Sequence, residues 1–140
     1  MISVAVGIII QPAPDFNRVL LCQRKASARY GLKWEFPGGK LEDGENAEEC
    51  LRRELREELA IEATVGEKFH HQHTVYPDSG SFDVFYYMIS GYTGSMINNV
   101  FETILWVPVE QLSQFDILEG NRDVVKKLLA IHAPAESRTR

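Results

Sequence analysis

Gly38-Gly39-Lys40-Leu41-Glu42-Asp43-Gly44-Glu45, continuing to Arg53-Glu54-Leu55-Arg56-Glu57-Glu58, is the stretch on which the reading of this chain turns. It is a glycine-rich loop, a tight turn and then a run dense in acid. Asp43-Gly44 is a turn dipeptide. Asn46 with Glu49 three residues on has the form of a capping box, so a helix is expected to start near Ala47. Nothing over residues 47–59 breaks a helix, and most of these residues favour one.

At about 100° per residue, Ala47, Leu51, Leu55 and Leu59 form an apolar band. Glu48, Glu49, Arg52, Arg53 and Arg56 fall mostly on the opposite side. Glu54, Glu57 and Glu58 are spaced i, i+3 and i+4 and share a face bordering the band. Three like charges so placed repel. A hard divalent cation takes carboxylate oxygens and turns that repulsion into binding. The alternative is a solvated acidic face, the usual meaning of a charge run.

The wider spacing is more specific. Gly39, Glu45, Arg53, Glu54, Leu55, Glu57, Glu58 and Ile61 fit Gly-x5-Glu-x7-Arg-Glu-U-x-Glu-Glu-x-Gly-U, with U a bulky aliphatic residue. This strongly resembles the Nudix box. The one departure is Ala60, where the family has glycine. That glycine usually ends the helix in a left-handed conformation, which alanine adopts only at a cost. Residues 34–40 and 106–112 also resemble flanking segments of MutT-type members, so the resemblance covers most of the chain.

Length and composition set the frame. One compact domain with a real core is expected from 140 residues, here drawn as a single domain over 1–133 with a flexible tail at 134–140. Hydrophobic residues at 44% and charged residues at 25% are ordinary for a soluble protein. A net charge of −5 argues against a general nucleic-acid binder, so no stable nucleic-acid complex is expected. It does not exclude a nucleotide, because a bound metal carries countercharge. Cys22 and Cys50 are too few for a disulfide framework and read as reduced, semi-buried hydrophobes. No signal peptide is evident and no apolar run is long enough to span a membrane, so a cytoplasmic monomer or homodimer is the default.

Strands are expected at 2–10, 19–24, 34–36, 63–73, 82–90 and 103–107, with a loop at 91–99 and a helical turn at 109–112. A second amphipathic helix is expected at 119–132, with Val124, Val125, Leu128, Leu129 and Ile131 available for its buried side. Strands mixed with two helices suggest an α+β or layered α/β domain. The resemblance implies a mixed β-sheet sandwiched between helices, a layered α/β/α arrangement with the box helix over the sheet.

The resemblance also implies roles. Glu54, Glu57 and Glu58 would hold Mg²⁺, with Mn²⁺ as a substitute, joined by the backbone carbonyl of Gly38. Glu54 is favoured as the group that takes the water's proton. Arg53 is expected to pair with Glu45 and brace the loop against the helix. Gly39 lets the backbone approach metal or phosphate closely. Lys40 is either a phosphate neutraliser or an exposed lysine. Glu102 is either a further ligand or base, or an exposed loop acid. Arg24 matches a base-side arginine of the family, and Phe36 would wall the base pocket. Asn121 matches the residue that reads a purine edge, since its amide offers donors and an acceptor; it is equally a helix cap. His70, His71 and His73 invite a zinc reading, but no fourth ligand stands near. Phe85, Tyr86 and Tyr87 read as sheet core rather than a stacking platform.

The function implied is Mg²⁺-dependent hydrolysis of a nucleoside triphosphate to monophosphate and pyrophosphate, with 8-oxo-dGTP the first choice of substrate. A pyrimidine triphosphate and a 5′-triphosphate RNA end are alternatives with the same chemistry. A nucleotide-sensing module without catalysis is the alternative from another class.

Overall fold

A computed structural model describes residues 1–15 and 17–132. In order, the elements are β1 (Ile2–Gln11), β2 (Arg18–Gln23), β3 (Trp34–Glu35), β4 (Gly38–Lys40), α1 (Ala47–Leu59), β5 (Glu62–Tyr76), β6 (Gly80–Thr93), β7 (Thr103–Pro108), 3₁₀ turns at Val109–Gln114 and Glu119–Asn121, and α2 (Arg122–Ile131). They gather into two compact units, one of Met1–Ile9 with Phe36–Phe101, the other of Ile10–Glu35 with the chain from Glu102 onward. The expected tail at 134–140 lies outside the described residues.

The first unit carries a mixed sheet. β1 runs parallel to β6, from Ile2 opposite Phe82 to Ile9 opposite Ile89. It runs antiparallel to β4, and β6 runs antiparallel to β5. Ala5, Val6, Ile8 and Ile9 are all buried. Such unbroken burial marks a strand covered on both faces, which is why β1 reads as a continuous apolar run. α1 packs on β5 and β4 through Cys50, Leu51, Leu55 and Leu59. Gly7 leaves room for that packing: a Cβ there would lie 3.4 Å from Leu51 Cδ1 and 3.3 Å from Ile89 Cγ1.

In the second unit β2 is central. It pairs antiparallel with β3 and with β7, and its Val19, Leu20, Leu21 and Cys22 are fully buried. Val109, Leu112, Ile117, Val124, Val125 and Leu128 complete that core.

Several expectations need correction. Cys22 and Cys50 are wholly buried rather than semi-buried. Ala47 is only half-buried, and Cys50 takes its place in the band. The helix expected from residue 119 begins at Arg122, after a tighter 3₁₀ turn. Ile131 is exposed at that helix's last turn, not buried. The hairpin strands are longer than expected, β6 taking in Gly91–Thr93, and the β5–β6 register shifts three times between Thr64 and His70.

Candidate active site

α1 is positioned by its own ends. Asn46 Oδ1 accepts from the Glu49 N–H at 2.8 Å, and Glu49 Oε1 accepts from the Asn46 N–H at 3.0 Å. This is the expected capping box, and it fixes the helix start. At the other end Ala60 takes φ 59° and ψ 32°, the left-handed conformation the family's glycine would supply. The substitution keeps the helix end and leaves its strain on an alanine.

Arg53 is the hub of the site. Its Nε donates to Glu45 Oε2 at 2.7 Å and its Nη2 to Glu45 Oε1 at 2.9 Å, the fork-to-carboxylate pairing that holds geometry best. Nη2 also donates to the Lys40 carbonyl at 3.2 Å. Nη1 donates to Glu54 at 3.0 Å and to Glu57 at 3.3 Å. The brace between loop and helix is therefore present, and Arg53 further gathers two of the box acids. Helical periodicity alone had placed Arg53 toward solvent; its side chain is 20% exposed.

The glycines shape the floor. Gly38 has φ 156°, and a Cβ there would collide with the Ala5 carbonyl across the β4–β1 pairing. Its N–H donates to Glu58 Oε1 at 3.2 Å. A Cβ on Gly39 would run into the Glu54 carboxylate. Glycine at 39 is what lets Glu54 lie against the backbone, and glycine at 38 is what lets β4 come close to β1.

The electrostatics separate the acids. Hydrogen bonds from Arg53, then from the Glu42 N–H, pull the Glu45 carboxyl down to about 2. Burial pushes Glu54 above the usual carboxylate range, although Arg53 pulls the other way. Burial first, and the charge of Glu45 next, push the Cys50 thiol up to about 11. Arg53 is held still more firmly in its charged form by Glu45. Glu57 is the most open of the set, its side chain 58% exposed.

Among the described residues no three His, Cys, Asp or Glu side chains converge as a ready-made metal cage. Glu54 and Glu57 lie on Arg53, and Glu58 lies on the Gly38 N–H. The donor set itself is all hard oxygen on one helix face, the chemistry Mg²⁺ or Mn²⁺ takes.

The remaining predicted residues divide between the units. Phe36 is buried and Lys40 exposed in the first. Arg24, Glu102 and Asn121 belong to the second. Arg24 donates from Nε to the Arg29 carbonyl at 2.8 Å and from Nη1 to Glu35 at 3.1 Å. Burial pushes Glu35 up, and Arg24 only partly offsets it. Glu102 is exposed just before β7, its N–H on the Gln23 carbonyl at 2.9 Å. Asn121 is 7% exposed and is the buried polar side chain among the described residues. It precedes α2 with helical backbone angles and makes no side-chain cap bond, so the cap reading fails.

His71 is engaged by its neighbours: Nε2 lies 2.6 Å from Asp83 Oδ1, and the ring stacks on Phe85 at 4.4 Å. His70 Nε2 instead lies 2.9 Å from Gln72 Oε1. Of Phe85, Tyr86 and Tyr87 on β6, Tyr86 is fully buried, while Phe85 and Tyr87 are partly open.

One group was not visible in the sequence. The loop after β6 places the Ile97 N–H 2.9 Å from the Leu59 carbonyl and the Asn99 N–H 3.0 Å from the Glu58 carbonyl. Asn99 Nδ2 donates to the Glu57 carbonyl at 3.2 Å. Residues 94–99 carry no pattern that announces these contacts.

Comparison with known proteins agrees with this geometry. The NUDIX domain model matches residues 1–128. The chain is 33% identical over 135 residues to a CTP pyrophosphohydrolase of Escherichia coli, covering 95% of each. It is 30% identical over 129 residues to an 8-oxo-dGTP diphosphatase of Haemophilus influenzae, covering 92% of each. The solution structure of the E. coli ORF135 protein superposes with a TM-score of 0.81 at 30% identity, covering 96% of this chain and 94% of that one. With the box residues in place on α1 and the family model spanning nearly all of it, the chain belongs to the Nudix hydrolase family.

Proposed function

We propose that this protein hydrolyses a nucleoside triphosphate to its monophosphate and pyrophosphate with Mg²⁺, and that its preferred substrate is an oxidised guanine nucleotide such as 8-oxo-dGTP. Glu54, Glu57, Glu58 and the Gly38 carbonyl are the groups that would hold the cation. When bound, Mg²⁺ supplies countercharge to the phosphates and acidifies a coordinated water. Glu54 suits the role of proton acceptor, because burial keeps its carboxyl more basic than an ordinary glutamate. Arg53 holds Glu54 and Glu57 at the loop, and its Glu45 brace fixes the loop to the helix. Lys40 adds positive charge for phosphate. Glu102 is a further base or ligand, and Arg24 and Phe36 are base-side residues.

Asn121 is the observation that carries the guanine reading. It is buried, it is polar, and it does not cap the helix it precedes. Guanine presents acceptor and donors along one edge, and an amide answers both. The pyrimidine reading has support of its own in the likeness to the E. coli CTP pyrophosphohydrolase.

The test is a panel of 8-oxo-dGTP, dGTP, CTP, dCTP and 5′-triphosphorylated RNA with Mg²⁺, products identified by mass. Glu57→Gln and Glu58→Gln should each lower the rate by orders of magnitude, and Glu48→Gln should not. Parental rates in the first two would refute the metal assignment. Asn121→Ala should cut kcat/KM for 8-oxo-dGTP relative to dCTP by about 10-fold, the cost of leaving a base hydrogen bond unmade. An unchanged ratio removes the guanine reading, and a preference for CTP installs the pyrimidine one. Absence of turnover on the whole panel, with nucleotide binding intact, would point to a sensing module.

A further inference from the structure

A helix leaves its last four carbonyls without partners inside the helix. In α1 these belong to Arg56, Glu57, Glu58 and Leu59. The Ala60 N–H takes the Arg56 carbonyl at 3.0 Å, as a left-handed helix end does. The other three are taken by one loop: Asn99 Nδ2 on Glu57, the Asn99 N–H on Glu58 and the Ile97 N–H on Leu59. Gly94, at φ 96°, opens this loop and approaches so closely that a Cβ there would lie 3.2 Å from the Ala60 carbonyl. Asn98 closes it, its Oδ1 accepting from the Phe101 N–H at 2.8 Å and its Nδ2 donating to the Phe101 carbonyl at 2.9 Å.

Two facts make this more than a helix cap. The gripped carbonyls belong to Glu57 and Glu58, whose side chains are proposed metal ligands, so this step rests on that reading. The turn they flank ends on Ala60, a left-handed residue that is not glycine. Such a conformation persists only where its surroundings over-determine it. We propose that Asn99 is a positioning residue that replaces, from outside the helix, the geometry a glycine at 60 would provide, and so sets the aim of Glu57 and Glu58. Loss of the Nδ2 donor lets the last turn of α1 relax away from the left-handed end. A glycine at 60 makes the clamp dispensable, because the turn then needs no outside enforcement.

The test is Mn²⁺ binding without nucleotide, read by electron paramagnetic resonance of the free ion, beside steady-state kinetics. Asn99→Ala should weaken Mn²⁺ binding by about 10-fold, in the range for loss of support to a metal ligand. It should lower kcat and leave KM for the nucleotide unchanged. Asn99→Asp keeps the shape but loses the donor, and should behave like Asn99→Ala. Adding Ala60→Gly to Asn99→Ala should recover most of the Mn²⁺ affinity. Unchanged Mn²⁺ binding in Asn99→Ala, with only a lower melting temperature, overturns the proposal, since the loop is then mere support. A loss that Ala60→Gly leaves unrepaired also overturns it. Glu57→Gln separates the two levels. If it loses Mn²⁺ while Asn99→Ala does not, the metal assignment stands and this inference falls. If it binds Mn²⁺ like the parent, both fall.

Discussion

Arg53 and Glu45 hold one another at the surface of the site, and acid should undo them. The folded carboxyl of Glu45 titrates near 2, below its ordinary value of 4.5. Between those values the unfolded chain binds more protons than the folded one, so stability rises with pH there. The pair's contribution is present above about pH 4.5 and disappears as pH falls toward 2. Glu45→Gln should therefore flatten the dependence of melting temperature on pH across that window; a parent-like slope would show that the pair is fully screened. Arg53→Ala should cost about 10²-fold in kcat/KM, because small misplacements at a reacting centre are that expensive. Arg56→Ala is the control: its bridge to Glu62 is exposed, and such pairs contribute little. Equal effects of the two changes on kcat/KM would remove Arg53 from the site. Ala60→Gly alone should raise stability by about 1 kcal/mol, the strain an L-residue carries in a left-handed turn. Calorimetry checks the sign, and a lower melting temperature would mean that Ala60 is not strained.

The start and most of the buried face of α1 are legible in the sequence because both signals are local. The capping box sits within four residues, and the apolar repeat marks the buried face. α2 was placed three residues early, since Glu119-Gly120-Asn121 continues the pattern while the backbone tightens into a 3₁₀ turn. The register shifts between β5 and β6 and the pairing of β1 with β6 had no local signature, because they depend on partners far along the chain. The site divided the same way. The shared face of the box acids followed from spacing and the Arg53 brace from the resemblance, whereas the grip of Asn99 on α1 is a tertiary contact. Burial of the cysteines was underestimated, and this has a measurable result. Cys50 sits on the buried face of α1 with burial pushing its thiol up to about 11, and Cys22 is wholly buried within β2. Neither should react with a thiol reagent at pH 8 until the protein is denatured, since the thiolate is the nucleophile. Rapid labelling of the native protein would contradict the packing of α1.

One folding domain over residues 1–133 remains the proposal for the whole chain, and its two compact units make that testable. Trp34 and Trp106 both lie in the second unit, so tryptophan fluorescence follows that unit alone. Far-ultraviolet circular dichroism follows α1 and α2 together. A single cooperative domain predicts coincident melting by the two probes. Separated transitions would divide the chain into two domains. Among the described residues no helix is long and apolar enough to cross a membrane. The pairing of Ile2 with Phe82 sets a condition on synthesis as well. Ribosomes deliver about 5–20 residues per second, so the apolar strand β1 emerges roughly 4–16 s before its parallel neighbour exists. For that interval the nascent chain presents Val4 to Ile10 with β6 still unmade, and a chaperone that shields short hydrophobic segments near the exit tunnel should raise the yield of active protein.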